Sequence, residues 1–178
     1  MKRLTTLCLA IGISIVHPTV ATSNEKPAFQ LAREFVGHCL QTLADPKRVE
    51  AAARALNWKT LDRDMAAVAA PRDKTVPWQS WFVDTAPQPF MIAISKAKFR
   101  GQPMATCTVG STQASVSDFL GELTKVIKLG QPLADYTEVG QRSRVWQIDL
   151  YGKPAMVIVN DAEQMDVTGF TIAAMVTP

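Results

Sequence analysis

Residues 79–110 read QSWFVDTAPQPFMIAISKAKFRGQPMATCTVG. This stretch decides the fold. In Pro103–Gly110, Met104, Thr106 and Thr108 alternate with Ala105, Cys107 and Val109, the period of two that a β-strand imposes. The runs QSWFVDT and FMIAISKAKF carry the same β-branched and aromatic bias. The segments between them, APQP and FRGQPM, are too short for a crossover helix. Neighbouring strands joined by turns run antiparallel.

Moving towards the N-terminus, PRDKTVPWQSW (residues 71–81) holds two prolines and marks a change of period. Before it the spacing is helical. PAFQLAREFVGHCLQTL places Leu31, Ala32, Phe35, Val36, Cys39, Leu40 and Leu43 on one side. DPKRVEAAARALN begins at an N-capping Asp45 with Pro46 in the first helical position, and Asn57 suits its C-terminal end. Trp58, Leu61, Met65 and Val68 then recur at helical spacing, which predicts a third helix ending before Pro71.

Moving towards the C-terminus, ASVSDFLGELTKVIKLG predicts a helix capped by Ser115 with Asp118 and stopped by Gly130. Val116, Phe119, Leu120, Leu123, Val126 and Ile127 are expected to face inward. RSRVWQIDLY, PAMVIVN and DVTGFTIAAMVT are three further strands, the first two joined by a YGKP turn. The expected fold is therefore α+β: N-terminal helices packed on a mainly antiparallel sheet, in the order ααα-βββ-α-βββ, with one disulfide. The two strand-rich parts flank a helix, but their sequences are not similar enough to mark a duplication.

The first 21 residues read as a cleaved signal peptide. MKR is basic, LTTLCLAIGISIV is apolar, and Thr19 and Ala21 occupy the small-residue positions of a cleavage site. The apolar run is shorter than the roughly 20 residues needed to span a bilayer. Residues 22–27 are then a linker, and 28–178 form one domain. Cys8 follows Leu7 inside the apolar run, which does not suit lipidation. The expected location is the periplasm or the medium outside the cell. No transmembrane segment is expected after cleavage.

Residues 1–21 carry Lys2 and Arg3 and no acid, so of 19 basic and 16 acidic residues a cleaved chain keeps 17 and 16. Near-neutrality does not support a nucleic-acid-binding surface. Export leaves Cys39 and Cys107, an even count in an oxidising compartment, and the expectation is a disulfide. Such a bridge closes a loop of about 70 residues, for which chain entropy gives roughly 4 kcal/mol.

The sequence carries no motif that names a chemistry. The sole histidine outside the signal, His38, adjoins Cys39 on a helix, where neighbours point about 100° apart and do not share an ion. GSTQ lacks the glycines of a nucleophile elbow or a phosphate loop. Asp62 and Asp64 are two apart and diverge on a helix. Asn160, Asp161, Glu163 and Asp166 offer oxygen ligands but not calcium-loop spacing, and read as turn residues. No catalytic residue, metal ligand or cofactor is expected.

Two features suit binding. Trp78 and Trp81 lie beside prolines, although Trp81 equally reads as a core residue and Trp78 as a cover for the core rim. Lys96, Lys98 and Arg100 alternate onto one strand face as a cationic hairpin tip, to which Arg142 and Arg144 add. That tip suits an acidic protein or an anionic surface, and lysines there equally protect an edge from aggregation. The expected function is a non-catalytic binding, inhibitor or accessory module, its partner another envelope or secreted protein. An envelope hydrolase with a carboxylate site and a structural envelope protein are the alternatives. Nothing in the sequence sets the oligomeric state.

Overall fold

The structure is a computed structural model that describes residues 26–67, 69–71, 73–85, 88–99, 101–161 and 169–177. The expected signal peptide, most of the linker, Val68, Arg100, Glu163 and Asp166 lie outside the described residues. Twelve elements follow in chain order. Helix α1 (Pro27–Phe35) continues into a π-helical turn (Val36–Leu40), and α2 spans Pro46–Ala55. Strands β1 (Lys59–Leu61), β2 (Trp78–Val83), β3 (Phe90–Phe99) and β4 (Gln102–Ser111) come next. Then come α3 (Val116–Leu123), β5 (Ala134–Glu138), β6 (Gln141–Leu150), β7 (Lys153–Asp161) and β8 (Phe170–Val176).

The strands form one eight-stranded sheet in the order β1-β2-β3-β4-β8-β7-β6-β5, antiparallel throughout. It is two four-stranded meanders, β1–β4 and β5–β8, each entered from a helix and joined edge to edge at β4 and β8. The α+β class with an antiparallel sheet and one disulfide is therefore what the molecule has. The middle of the seam is the pair Thr108 and Ala173.

The helices cover one face, here the inner face. Inward residues of β2, β3, β4, β6, β7 and β8 meet α1 and α3 in one core. Phe35 of α1 meets Phe119 of α3 edge to face at 6.4 Å, and Phe119 meets Phe170 of β8 at 4.8 Å. All three rings are buried, so each contributes a large apolar area at the helix–sheet boundary. Cys39, in the π-helical turn, is bonded to Cys107 of β4 with a Cα–Cα distance of 5.3 Å. Both cysteines are fully buried. The bridge ties the helical layer to the sheet across 68 residues of chain.

The caps follow local chemistry. Asp45 Oδ1 accepts from Lys47 N at 3.0 Å, and Ser115 Oγ accepts from Asp118 N at 3.5 Å. Asn57 stands at φ +53°, ending α2 in the left-handed conformation that asparagine tolerates.

Three local expectations are corrected. The helix expected over 58–70 is a strand followed by turns, because Lys59–Leu61 pairs with β2 and Met65 is 70% exposed. Helix α3 stops at Leu123 rather than Gly130, and Val126 faces solvent at 59% exposure. Strand β5 is an addition the sequence did not predict. A further expectation, that Arg142 and Arg144 join the Lys96 hairpin, also fails. Arg142 pairs with Asp135 at 2.7 Å and Arg144 with buried Asp161 at 2.8 Å, both beyond β8 from β3.

Candidate functional site

Strand register sorts the predicted binding residues onto opposite faces of the sheet. Trp81 lies opposite Ile92 on the inner face, is 7% exposed, and packs edge-on against Trp58. It is a core residue. Trp78, three positions earlier, points to the outer face opposite Ser95. The Arg63 guanidinium stands over its ring, 5.2 Å from the centroid, and donates to Pro71 O at 3.0 Å. Trp78 is therefore half-buried at one corner of the outer face.

Lys96 and Lys98 have the inner parity of Ile92 and Ile94 but lie past the end of the helical cover. They enter a groove of about 1040 Å³. Further segments of the chain complete it. The turn after the π-helix and the start of α2 bring Leu43, Pro46, Lys47 and Arg48. The 71–77 loop brings Pro71, Asp73, Val76 and Pro77, while Met104, Ala105 and Lys153 close the far side. Leu43 and Ala44, at φ +57° and +53°, reverse the chain so that α2 starts at the groove rim. Lys96 N donates to Pro77 O at 3.2 Å, fixing the loop to β3.

Five cationic side chains thus face two carboxylates: Lys47, Arg48, Lys96, Lys98 and Lys153 against Asp45 and Asp73. Both carboxylates are occupied locally. Asp45 caps α2 and lies 3.9 Å from Arg48 Nε. Asp73 accepts from the Thr75 hydroxyl at 2.7 Å and the Thr75 amide at 2.9 Å. The hydroxyl bond first, and the amide bond second, hold its carboxyl below the ordinary value. Lys47, Lys96, Lys98 and Lys153 make no ion pair among the described residues. The walls between these charges are apolar, formed by prolines, Leu43, Val76 and buried Met104. Such a surface holds an extended anionic chain: its acids meet the lysines and its apolar groups meet the prolines.

His38 and Asp161, two other titratable groups that the sequence singled out, are engaged structurally. His38 Nε2 lies 3.1 Å from Glu34 Oε2, and the imidazole meets Trp58 edge to face at 4.9 Å. Asn160 Oδ1 accepts from Ser143 on the outer face, while Asp161 meets Arg144 on the inner face. Glu34, Asp73 and Asp135 all have their carboxyls shifted downward, Glu34 chiefly by His38 and Asp135 chiefly by Arg142. A general acid at neutral pH needs the opposite shift. No three His, Cys, Asp or Glu side chains converge for a metal ion among the described residues. No helix among them is long and apolar enough to cross a membrane.

Lys96 and Lys98 were legible through strand parity. Lys47, Arg48 and Lys153 were not, because they reach the groove only through chain reversals far from β3. Comparison of the chain with protein-family models, with curated proteins and with solved structures finds no significant match.

Proposed function

We propose that this chain is an exported binding module whose groove takes an acidic, extended segment of an envelope or secreted protein. The observation that carries the reading is the excess of lysines that make no ion pair among the described residues, set around an apolar floor. A dedicated general acid would need a raised carboxyl, and this groove offers carboxylates already committed to local hydrogen bonds. The basic-apolar-polar layout of residues 1–21 supports export. So does the Cys39–Cys107 bridge, since disulfides persist in oxidising compartments.

The probe is a fluorescein-labelled peptide alternating glutamate with leucine, titrated into the oxidised protein by polarisation. Binding should weaken steeply as salt rises, because the attraction is between exposed charges. Lys96→Glu with Lys98→Glu should weaken it by roughly 100-fold or more, at an unchanged melting temperature. Lys59→Glu, on the edge strand outside the groove, is the control. An affinity that survives the double reversal would remove the groove assignment. Equal losses in the control would reduce it to general charge attraction.

A further inference from the structure

The inner face of the sheet is covered by helices, and the outer face by none of the three. Register defines what that face displays. Its middle row crosses the sheet as Ala93, Thr108, Ala173, Ile158 and Val145, extended by Ser80 and Ala134 at either end. One flanking row runs from Lys59 and Phe82 through Met91 to Ser143 and Tyr136. The other runs from Trp78 to Met175, Met156 and Gln147. From β3 to β5 none of the side chains on these three rows is Asp, Glu, Lys or Arg, while the β1–β2 corner carries Lys59 and the Arg63 guanidinium over Trp78.

The face is also flat. Gly110 carries no side chain, and a Cβ there would stand 2.9 Å from Met91 Cε, so Met91 lies across the glycine. One of the face's two amides and one of its hydroxyls meet on the surface itself, Ser143 Oγ donating to Asn160 Oδ1 at 2.8 Å. Soluble monomers rarely leave contiguous apolar patches larger than a few hundred Å² uncovered.

We infer that two copies of this chain pack outer face to outer face, forming a β-sandwich dimer. Size favours a second copy. Ser80 and Ala93 are already buried and Trp78 lies under Arg63, so the β2 corner is left out. The six strands from β3 to β5, about 4.8 Å apart with three same-side residues on most of them, give roughly 25 Å by 20 Å, or about 500 Å² per copy. Two such faces bury about 1,000 Å² in total, the size a specific interface has to reach. Charge favours it as well. From β3 to β5 a charged partner finds nothing to meet on these rows, whereas an identical neutral face meets no like-charge repulsion. Shape agrees, since two flat twisted sheets stack about 10 Å apart with side chains interdigitating. The pair Thr108 and Ala173 is at the centre of the seam, so Ala173 falls near the two-fold axis. The grooves point away from each other in this dimer, and their binding is independent of it.

The test is sedimentation equilibrium of the oxidised protein purified after export, from about 1 to 100 µM. The expected mass is twice that of one chain. Ala173→Glu should raise the dimer dissociation constant by roughly 100-fold or more, since it buries a carboxylate against its copy. Ile158→Lys should do the same, and circular dichroism should show both variants folded. Mixing Ala173→Glu with Ala173→Lys should restore the dimer. A wild-type monomer at the highest concentration would overturn the inference, as would a dimer indifferent to both substitutions. A monomer that sediments with phosphatidylglycerol vesicles would overturn it in favour of a lipid surface. Groove binding of the acidic peptide is read separately, so either proposal can fail alone.

Discussion

Glu34 lies one helical turn before His38, and its carboxylate serves both the imidazole and the Arg33 guanidinium, each at 3.1 Å. The hydrogen bond to His38 is the largest influence lowering its pKa, while partial burial opposes it. A carboxyl depressed by folding stabilises the native state above its unfolded value, near pH 4.3, and loses that contribution as pH falls through the folded value. Stability should therefore fall more steeply below about pH 4 in the wild type than in Glu34→Gln. Urea midpoints measured from pH 3 to 7 check this, and parallel curves for the two proteins would show that the pair is not linked to folding. Position along a helix made this contact legible, since residues four apart are neighbours. Its effect on the carboxyl was not legible, because the lowering by the His38 bond is set against partial burial, which only the packed structure fixes.

At the scale of elements, the long strands of alternating pattern were readable and the short edge strands were not. Strand β1 has three residues and no alternation of its own, and its pairing with β2 supplies the bonds that a helix would otherwise make. Strand β5 was hidden by its turn. Val139 and Gly140 join β5 to β6 with φ of +50° and +77°, the two-residue hairpin turn in which both residues are left-handed. A β-branched valine is a poor occupant of that region, so the sequence gives no turn signal there. Tyr151 and Gly152 build the same turn between β6 and β7, and there no β-branched residue precedes the glycine and the following Lys-Pro completes a readable turn. Val139 is 91% exposed, so replacing it removes strain without a packing loss. Val139→Asn should stabilise the protein by about 1 kcal/mol, read as a higher urea midpoint at unchanged slope. An unchanged midpoint would mean that the valine is accommodated at no cost.

At the scale of the whole molecule, the disulfide joins the two layers. Cys39 lies under the helical cover and Cys107 in a central strand, and reduction frees both layers in the unfolded chain. Replacing both cysteines with alanine should cost about 2–4 kcal/mol, measured by chemical denaturation against the oxidised wild type. A loss below about 1 kcal/mol would show that the core holds the layers together without the bridge.

The sequence by itself determined the parts whose physics is local. Capping at Asp45 and Ser115, the alternation of β3, β4 and β6, the α+β class and the expectation of a Cys39–Cys107 bridge all follow from spacing and side-chain chemistry. Tertiary structure alone decided which strands became neighbours, and that joined β4 to β8. Only this seam makes one eight-stranded sheet from two meanders, with one face under helices and the other bearing no helix among the described residues. The groove depends on it as well, since Lys153 reaches Lys98 only after β7 takes its place in the order. Pairing between strands is set by loop closure and by burial summed over the whole core, neither of which any short stretch of sequence contains.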